Sequence, residues 1–452
     1  MKSKIKISAI SVSCLLMMSL FTGCGADMTD TSMTMGEKSA DKNSAEIVKE
    51  DSASSVAEEV PAEDFADAEM MADGAFESEM SVKSDGDIIA DEPIGEPVIE
   101  PIEEPTEISP EAGLLTAGEW NDNDNWGFFQ NLVNSNAIEF PVFNINPVNR
   151  AEVNVKNESG EPSVNAKVEM LSADGSAIWT SITDKDGKAY LFYETDNLPE
   201  KFRVSFGETS QEFEIEKNTD LSGNGQGSSI TAVPESTDIV FSSSGELYPA
   251  TDIMFIMDST GSMSDEMLFL QSEFSAIANE TGTDNVRYSV NFYRDEGDDY
   301  VTKCFDFTND ISEIQQTLNN ERADGGGDTP EAVTEILDET MNKSDWGENS
   351  VKLAFMIFDA PPHSDRDNLD VLNNAVKTAS EKGIRIIPVV SSNSERNTEL
   401  FGRALSICTN GTYVFLTDDS GVGDSHLEPI IGDYEVEKLY DIIIRVINEY
   451  RQ

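Results

Sequence analysis

The stretch Ile253-Met254-Phe255-Ile256-Met257-Asp258-Ser259-Thr260-Gly261-Ser262-Met263 passes from an unbroken apolar run into a loop of acid, hydroxyl and glycine residues. A run without polar alternation reads as a strand buried on both faces, the habit of parallel sheets covered by helices. Leu353-Ala354-Phe355-Met356-Ile357-Phe358 repeats the pattern and again ends on an acid, Asp359. Around these two runs, β-prone stretches (Val286 to Tyr293, Val301 to Phe307, Ile384 to Val390, Thr412 to Leu416) alternate with amphipathic ones. The latter are Glu266 to Ala278, Ile311 to Asn319, Glu331 to Met341, Leu369 to Lys382, Thr398 to Ile407 and Glu435 to Tyr450. This alternation predicts an α/β fold, a doubly wound, Rossmann-like domain over 250–452. Ligands of such folds bind beyond the carboxyl ends of the strands, where strand order reverses. Asp258, Asp359 and the intervening Gly325-Gly326-Gly327-Asp328-Thr329-Pro330-Glu331 are therefore expected around one crevice. Taken alone, Thr329-Pro330-Glu331 is also an ordinary helix start, with Thr as N-cap and Pro at the first helical position.

Outward from this domain the composition changes. Of 452 residues, 87 are Asp or Glu and 30 are Lys or Arg, a formal charge of −57. A polyanion of that size repels nucleic acid and anionic lipid, so neither is expected as a partner. Much of the excess lies in 24–112, where only Lys38, Lys42, Lys49 and Lys83 offset a dense run of acids and Pro93, Pro97, Pro101, Pro105 and Pro110 recur. Self-repulsion and polyproline-II preference extend such a segment, which reads as a disordered acidic stalk; a recruitment tail is the alternative. In the lead-in 113–147, Glu119-Trp120-Asn121-Asp122-Asn123-Asp124-Asn125-Trp126 lacks an EF-hand register, so Asx turns and Trp packing on the next domain are expected. Residues 148–218 hold short β-prone runs, such as Ala189 to Tyr193 and Phe202 to Phe206, separated by turns such as Asp184-Lys185-Asp186-Gly187. They predict a small all-β sandwich. The Gly-rich, Ser-rich 219–249 reads as a linker.

The amino end, 1–23, has Lys2, Lys4 and Lys6 before an uncharged apolar run, as secretory signals do. The run is shorter than the roughly 20 residues that span a bilayer as a helix. Its end, Leu20-Phe21-Thr22-Gly23-Cys24, resembles the bacterial lipoprotein signal. That resemblance implies acylation of Cys24 and residence on the extracytoplasmic face of the cell membrane.

Two more resemblances follow from the motifs above. Ser159 to Leu191 is similar to carboxypeptidase regulatory-like and bacterial Ig-like modules, which implies a spacer without catalysis. Asp258-x-Thr260-x-Ser262, the glycine loop and Asp359 resemble the von Willebrand factor A domain, whose adhesion site begins Asp-x-Ser-x-Ser. Gly327 stands where many members have a Thr ligand, and Gly-Gly-Gly-Asp-Thr-Pro-Glu is instead similar to the branch with hemicentins and integrin β subunits. The resemblance implies Asp258, Thr260, Ser262, Glu331 and Asp359 as metal ligands, with Asp328 and Thr329 in support. It further implies Asp265 and Glu266 as candidates for a second cation, although two acids also suit a helix's first turn. The family's strand order, 3-2-1-4-5-6, puts Cys304 and Cys408 at opposite sheet edges, which implies two free thiols.

Carboxylate and hydroxyl oxygens are hard donors, which select Mg²⁺, or Mn²⁺ or Ca²⁺. With neutral hydroxyls in the set, the ion stays electrophilic toward an acidic residue of a protein partner. The sequence shows no P-loop, Gly-x-Ser-x-Gly or His-Glu-x-x-His, and His363 has no second histidine near it in sequence, so binding rather than catalysis is expected. The alternative is a non-catalytic scaffold or subunit of an envelope complex in which the metal is only structural.

Overall fold

The computed structural model describes residues 115–216, 218–219, 231–243, 245–327, 329–421 and 425–451. The 1–23 signal, Cys24, the 24–112 stalk and Asp328 lie outside them.

The described chain begins with β1 (Thr116–Trp120) and α1 (Trp126–Asn134). A β-rich module follows: β2 (Arg150–Lys156), β3 (Lys167–Leu171), β4 (Ala177–Ile182), β5 (Lys188–Phe192), β6 (Lys201–Phe206) and β7 (Thr209–Glu214). The short pair β8 (Asn218–Thr219) and β9 (Thr231–Ala232) precedes β10 (Ser236–Val240). Two sheets result, ordered β10-β2-β5 and β4-β3-β6-β7. Along β2, Val153 and Val155 are buried while Asn154 and Lys156 point outward, the period of a half-buried strand. Part of the 219–249 linker reading is corrected here. Ser236–Val240 pairs in parallel with β2, from Ser236 opposite Glu152 to Val240 opposite Lys156. Ile239 is buried in the module's core, which fixes this register.

The head then runs β11 (Ala250–Asp258), α2 (Ser264–Thr281), β12 (Val286–Tyr293), β13 (Thr302–Lys303), α3 (Ile311–Asn320), α4 (Val333–Leu337) and β14 (Ser350–Phe358). It continues with α5 (Arg366–Lys382), β15 (Ile384–Val390), α6 (Arg396–Thr409), β16 (Tyr413–Thr417), β17 (Glu437–Lys438) and α7 (Leu439–Tyr450). Its sheet is ordered β13-β12-β11-β14-β15-β16-β1-β17, with β12, β11, β14, β15 and β16 parallel. The unbroken apolar runs now have a physical reason. Ile253, Phe255 and Met257 of β11 enter one core with Leu353, Phe355 and Ile357 of β14, while Met254, Ile256, Ala354, Met356 and Phe358 enter the core on the other face. Each of these side chains larger than Ala354 contributes roughly 1.5–3 kcal/mol by leaving water.

Three sequence expectations change. The 113–147 lead-in is not separate from the head: β1 lies antiparallel to β16, Thr116 opposite Thr417 and Trp120 opposite Tyr413. The module is therefore inserted between the first strand of the head and the rest. The expected strand over 301–307 shrinks to two residues, and the helix expected from Glu331 starts at Val333, because Glu331 forms a parallel bridge to Pro362.

The module packs on the head rather than hanging from it. The Trp179 indole N–H donates to Ser380 Oγ at 3.0 Å, Asn410 Nδ2 donates to Asp184 Oδ2 at 3.0 Å, and Lys167 pairs with Glu381 at 3.2 Å. Cys304 is exposed, Cys408 is buried, and both are free thiols. Among the described residues no helix is long and apolar enough to cross a membrane.

Candidate metal centre

At the carboxyl end of β11, Asp258 is fully buried between β12 and β14. Its Oδ1 accepts the Thr260 backbone N–H at 3.0 Å and the Thr260 hydroxyl at 2.7 Å, which folds the chain back at once. Thr260 and Ser262 hydroxyls stand 3.4 Å apart, and the Ser262 side chain is hydrogen-bonded to Asp359 at the end of β14. Glu331 reaches the same place through its backbone, whose N–H donates to the Pro361 carbonyl at 3.1 Å.

The glycine loop is stitched to this turn. Gly261 N–H donates to the Gly325 carbonyl at 3.2 Å, Asp324 N–H to the Ser259 carbonyl at 3.0 Å, and Gly326 N–H to Asp298 Oδ2 at 2.9 Å. Gly326 has φ +69°, and a Cβ there would lie 3.1 Å from Thr260 Cβ and 3.2 Å from Glu331 Oε1. Only glycine combines that conformation with so close an approach. A cavity of about 290 Å³ results, lined by Thr260, Ser262, Thr329, Glu331 and Asp359 among others.

Thus Asp258, Thr260, Ser262, Glu331 and Asp359 come together from three loops, with Thr329 at the rim. Neither Asp265 nor Glu266 lines the cavity, and neither does Asp258; Glu266 is buried, feels the charge of Asp359, accepts the Ser392 hydroxyl on its Oε1 at 3.2 Å and leaves its Oε2 without a partner.

Crowding three acids in a poorly hydrated place makes their charged forms unfavourable. Burial first, then Asp359, pushes Asp258 up to about 7. Burial first, then Asp258, Asp295, Asp359 and Asp298, pushes Glu331 up to about 9. Asp359 is raised by burial too, and Glu266 is pushed by burial to about 7. Glu331 Oε2 is buried without a hydrogen-bond partner, and Asp258 Oδ2 has none at full bonding geometry, although the buried Tyr293 hydroxyl lies close enough to Asp258 to favour its charged form. Among the described residues no three His, Cys, Asp or Glu side chains gather closely enough to hold an ion by themselves. The Thr260 and Ser262 hydroxyls add two neutral oxygens beside the site's acids.

Asp298, Ser392, Asp418 and His426 escaped the sequence reading. Asp298 anchors the glycine loop, and close by, His363, which that reading set aside, meets Asp295 Oδ1 through its Nε2 at 2.7 Å. On the other side, His426 Nδ1 meets Asp418 Oδ1 at 2.7 Å and its Nε2 meets Ser392 Oγ at 3.1 Å, continuing to Glu266. The order of partners is that of a hydrolase triad. Yet the Ser392 hydroxyl is buried, does not line the cavity, and is engaged by Glu266, so it is a brace and not an exposed nucleophile. The acid-rich loop Arg294-Asp295-Glu296-Gly297-Asp298 after β12 was the available signal for Asp298. His426 had none.

With this geometry in place, residues 252–424 match the family model described as von Willebrand factor A domain, and the chain carries that domain there. A putative ariadne-like RING finger protein, R811 of Acanthamoeba polyphaga mimivirus, is 27% identical over 187 residues, covering 36% of this chain and 18% of the relative. The chain thus spans less than a fifth of that relative's length. Among solved structures, the conserved hypothetical protein BatB of Bacteroides thetaiotaomicron is 12% identical, with a TM-score of 0.33, over 44% of this chain and 98% of that one.

Proposed function

We propose that the von Willebrand factor A domain at 252–424 binds a protein partner through a divalent cation held by Asp258, Thr260, Ser262, Glu331 and Asp359. The observation that carries this reading is the pair of buried oxygens short of a full hydrogen bond, Asp258 Oδ2 and Glu331 Oε2, beside acids that repel one another. Buried charge is retained only where something compensates it, and hard oxygen donors fit Mg²⁺, Mn²⁺ or Ca²⁺. When bound, such an ion supplies an electrophile with room for one more carboxylate oxygen.

The chain's own residues do the positioning. Asp258 holds the Thr260 hydroxyl, Ser262 is tied to Asp359, and the Gly325–Gly326 backbone closes against Thr260 and Glu331. The partner in this reading presents an exposed Asp or Glu. No catalysis is assigned to the site. A lipid anchor at Cys24 and the acidic stalk complete the picture of a binding head on the extracytoplasmic face of the cell membrane.

A second reading, an envelope scaffold whose metal only steadies the fold, draws on the complete burial of Asp258. Capture of envelope and host proteins by the immobilised full chain, with Mg²⁺ and with EDTA, separates the two. Loss of capture in EDTA with the head still folded supports the adhesive reading. Unchanged capture alongside a lower melting temperature in EDTA favours the scaffold.

A further inference from the structure

A second cavity, about 730 Å³, lies at the other end of the head's sheet, where β14 and β15 begin. The module's Val164–Asn165 and Ile182–Lys188 turns face it, as do the turn after β1 and the end of α7. Its lining includes Lys352, Lys382 and Arg385. Lys352 is 7% exposed and Arg385 8%.

Six cations line this cavity, Lys185, Lys188 and Arg445 besides these three, but Lys352, Lys382 and Arg385 are the ones gathered where β14 and β15 begin. The partners of these three are unusual, since each hydrogen-bonds to backbone carbonyls alone among the described residues. Lys352 Nζ donates to Ser350 at 3.1 Å, Lys382 Nζ to Met341 at 2.7 Å and Asn342 at 3.4 Å, and Arg385 to Thr409 at 3.3 Å and Ile182 at 3.4 Å. Asp252, directly opposite Lys352 on β11, attracts it, but the oxygens of Asp252 are taken by Arg287, Ser350 and Gly347. Of the acids on the same cavity, Glu119 is paired with Arg445, Glu381 with Lys167, and Asp184 is bonded by Asn410 and turn amides. Asp124, Asp186, Glu348 and Glu449 are exposed at the rim.

A buried cation with no carboxylate hydrogen-bonded to it is costly, and the cost shows at Lys352 even with Asp252 on the next strand. Burial first, with Arg385 and Lys382 adding, lowers it to about 8. The cavity size matches those that enclose small ligands, roughly 300–1,000 Å³. Tyr248, whose ring lies 5.9 Å from Lys352 Nζ, and Trp346 give it apolar wall as well.

We propose that this cavity binds a small organic anion, its carboxylate or phosphate group received by Lys352 and Arg385 and its body lying toward Tyr248 and Trp346. The acidic rim turns away large polyanions while the cationic floor compensates one small one. This site stands apart from the proposed metal centre and does not depend on it.

The test uses the full chain in EDTA, titrated with succinate and, separately, inorganic phosphate, with sodium chloride holding ionic strength constant. Calorimetric binding and melting temperature are read. A saturable rise in melting temperature with either anion is expected, and which anion gives it identifies the headgroup. Lys352→Met removes a buried charge that bonds no carboxylate, so the ligand-free variant melts no lower than the parent yet loses the anion response. Lys201→Met, at an exposed lysine on the module, keeps it. In the unmodified chain, the active anion also protects Lys352 from reductive methylation by formaldehyde with a borane reductant, mapped by mass spectrometry. No saturable response to either anion, a response that survives Lys352→Met, or labelling of Lys352 unchanged by both anions overturns the proposal.

Discussion

Arg403 and Asp122 lie 281 residues apart in sequence and form a two-pronged ion pair wholly out of solvent, Nε to Oδ2 at 2.8 Å and Nη2 to Oδ1 at 2.8 Å. The pair ties the turn after β1 to α6. Glu399 Oε1 adds a third contact to Arg403 at 3.2 Å and also accepts the Ile430 N–H at 3.0 Å. Removing one partner strands a buried charge, which typically costs about 3–5 kcal/mol. Asp122→Ala is expected to lose stability on that scale in urea unfolding. The double change Asp122→Leu with Arg403→Met is expected to lose less than Asp122→Ala alone.

The same connection makes a prediction about fragments. A chain starting at Ala250 lacks β1, leaves Arg403 with Glu399 alone as its carboxylate partner and bares the β16 edge that β1 covers. It is also without Leu115 and Ala117, which belong to the core on the α2 and α7 side. Unprotected edges pair with other chains. On size-exclusion chromatography, a fragment beginning at Ala250 is expected to associate, whereas one beginning at Leu115 stays in its native state.

At the carboxylate cavity, Mg²⁺ is expected to raise the melting temperature of the full chain, by about 2.7 kcal/mol of added stability at one hundred times Kd. Asp258→Asn removes a buried charge, so the metal-free variant is expected to be at least as stable as the parent while losing the Mg²⁺ response. Gly326→Ala is expected to weaken the response as well. Its methyl would lie 3.1 Å from Thr260 Cβ on a backbone of φ +69° that alanine adopts poorly.

The pH dependence of the metal-free chain has a definite sign. Burial and neighbouring acids raise Asp258 to about 7 and Glu331 to about 9, while unfolded carboxyls titrate near pH 4. From about pH 4 upward the folded state keeps protons that the unfolded state has released. The stability that these groups contribute is fully present below about pH 4 and is lost as pH rises through 7 and 9. Calorimetric scans in EDTA should show that decline, and the gain on adding Mg²⁺ should widen as pH increases. A metal-free chain whose stability rose across this range would contradict the assignment.

How much of this was legible in the sequence depended on the range of the interactions. β11 and β14 were readable because both faces of each strand are buried, which leaves an unbroken apolar run. Thr116–Trp120 and Ser236–Val240 left no such mark, since each is short and joins a sheet laid down by distant residues. At the site, Asp258, Thr260 and Ser262 declare themselves through local spacing. Glu331 and Asp359 were reachable because strand ends converge. By contrast, the partners of Asp122 and Glu266, Arg403 and Ser392, are set by chain segments far away in sequence, and no local pattern encodes them.

The placement of β1 also decides where tension would travel. A tug arriving from the amino-terminal side meets the head at Leu115 and Thr116 before it ever reaches the module. Five residues of β1 are paired along β16, from Thr116 with Thr417 to Trp120 with Tyr413. Drawn lengthwise, those pairs resist together in shear instead of unzipping one by one, while the module, spliced in behind them, is spared the load.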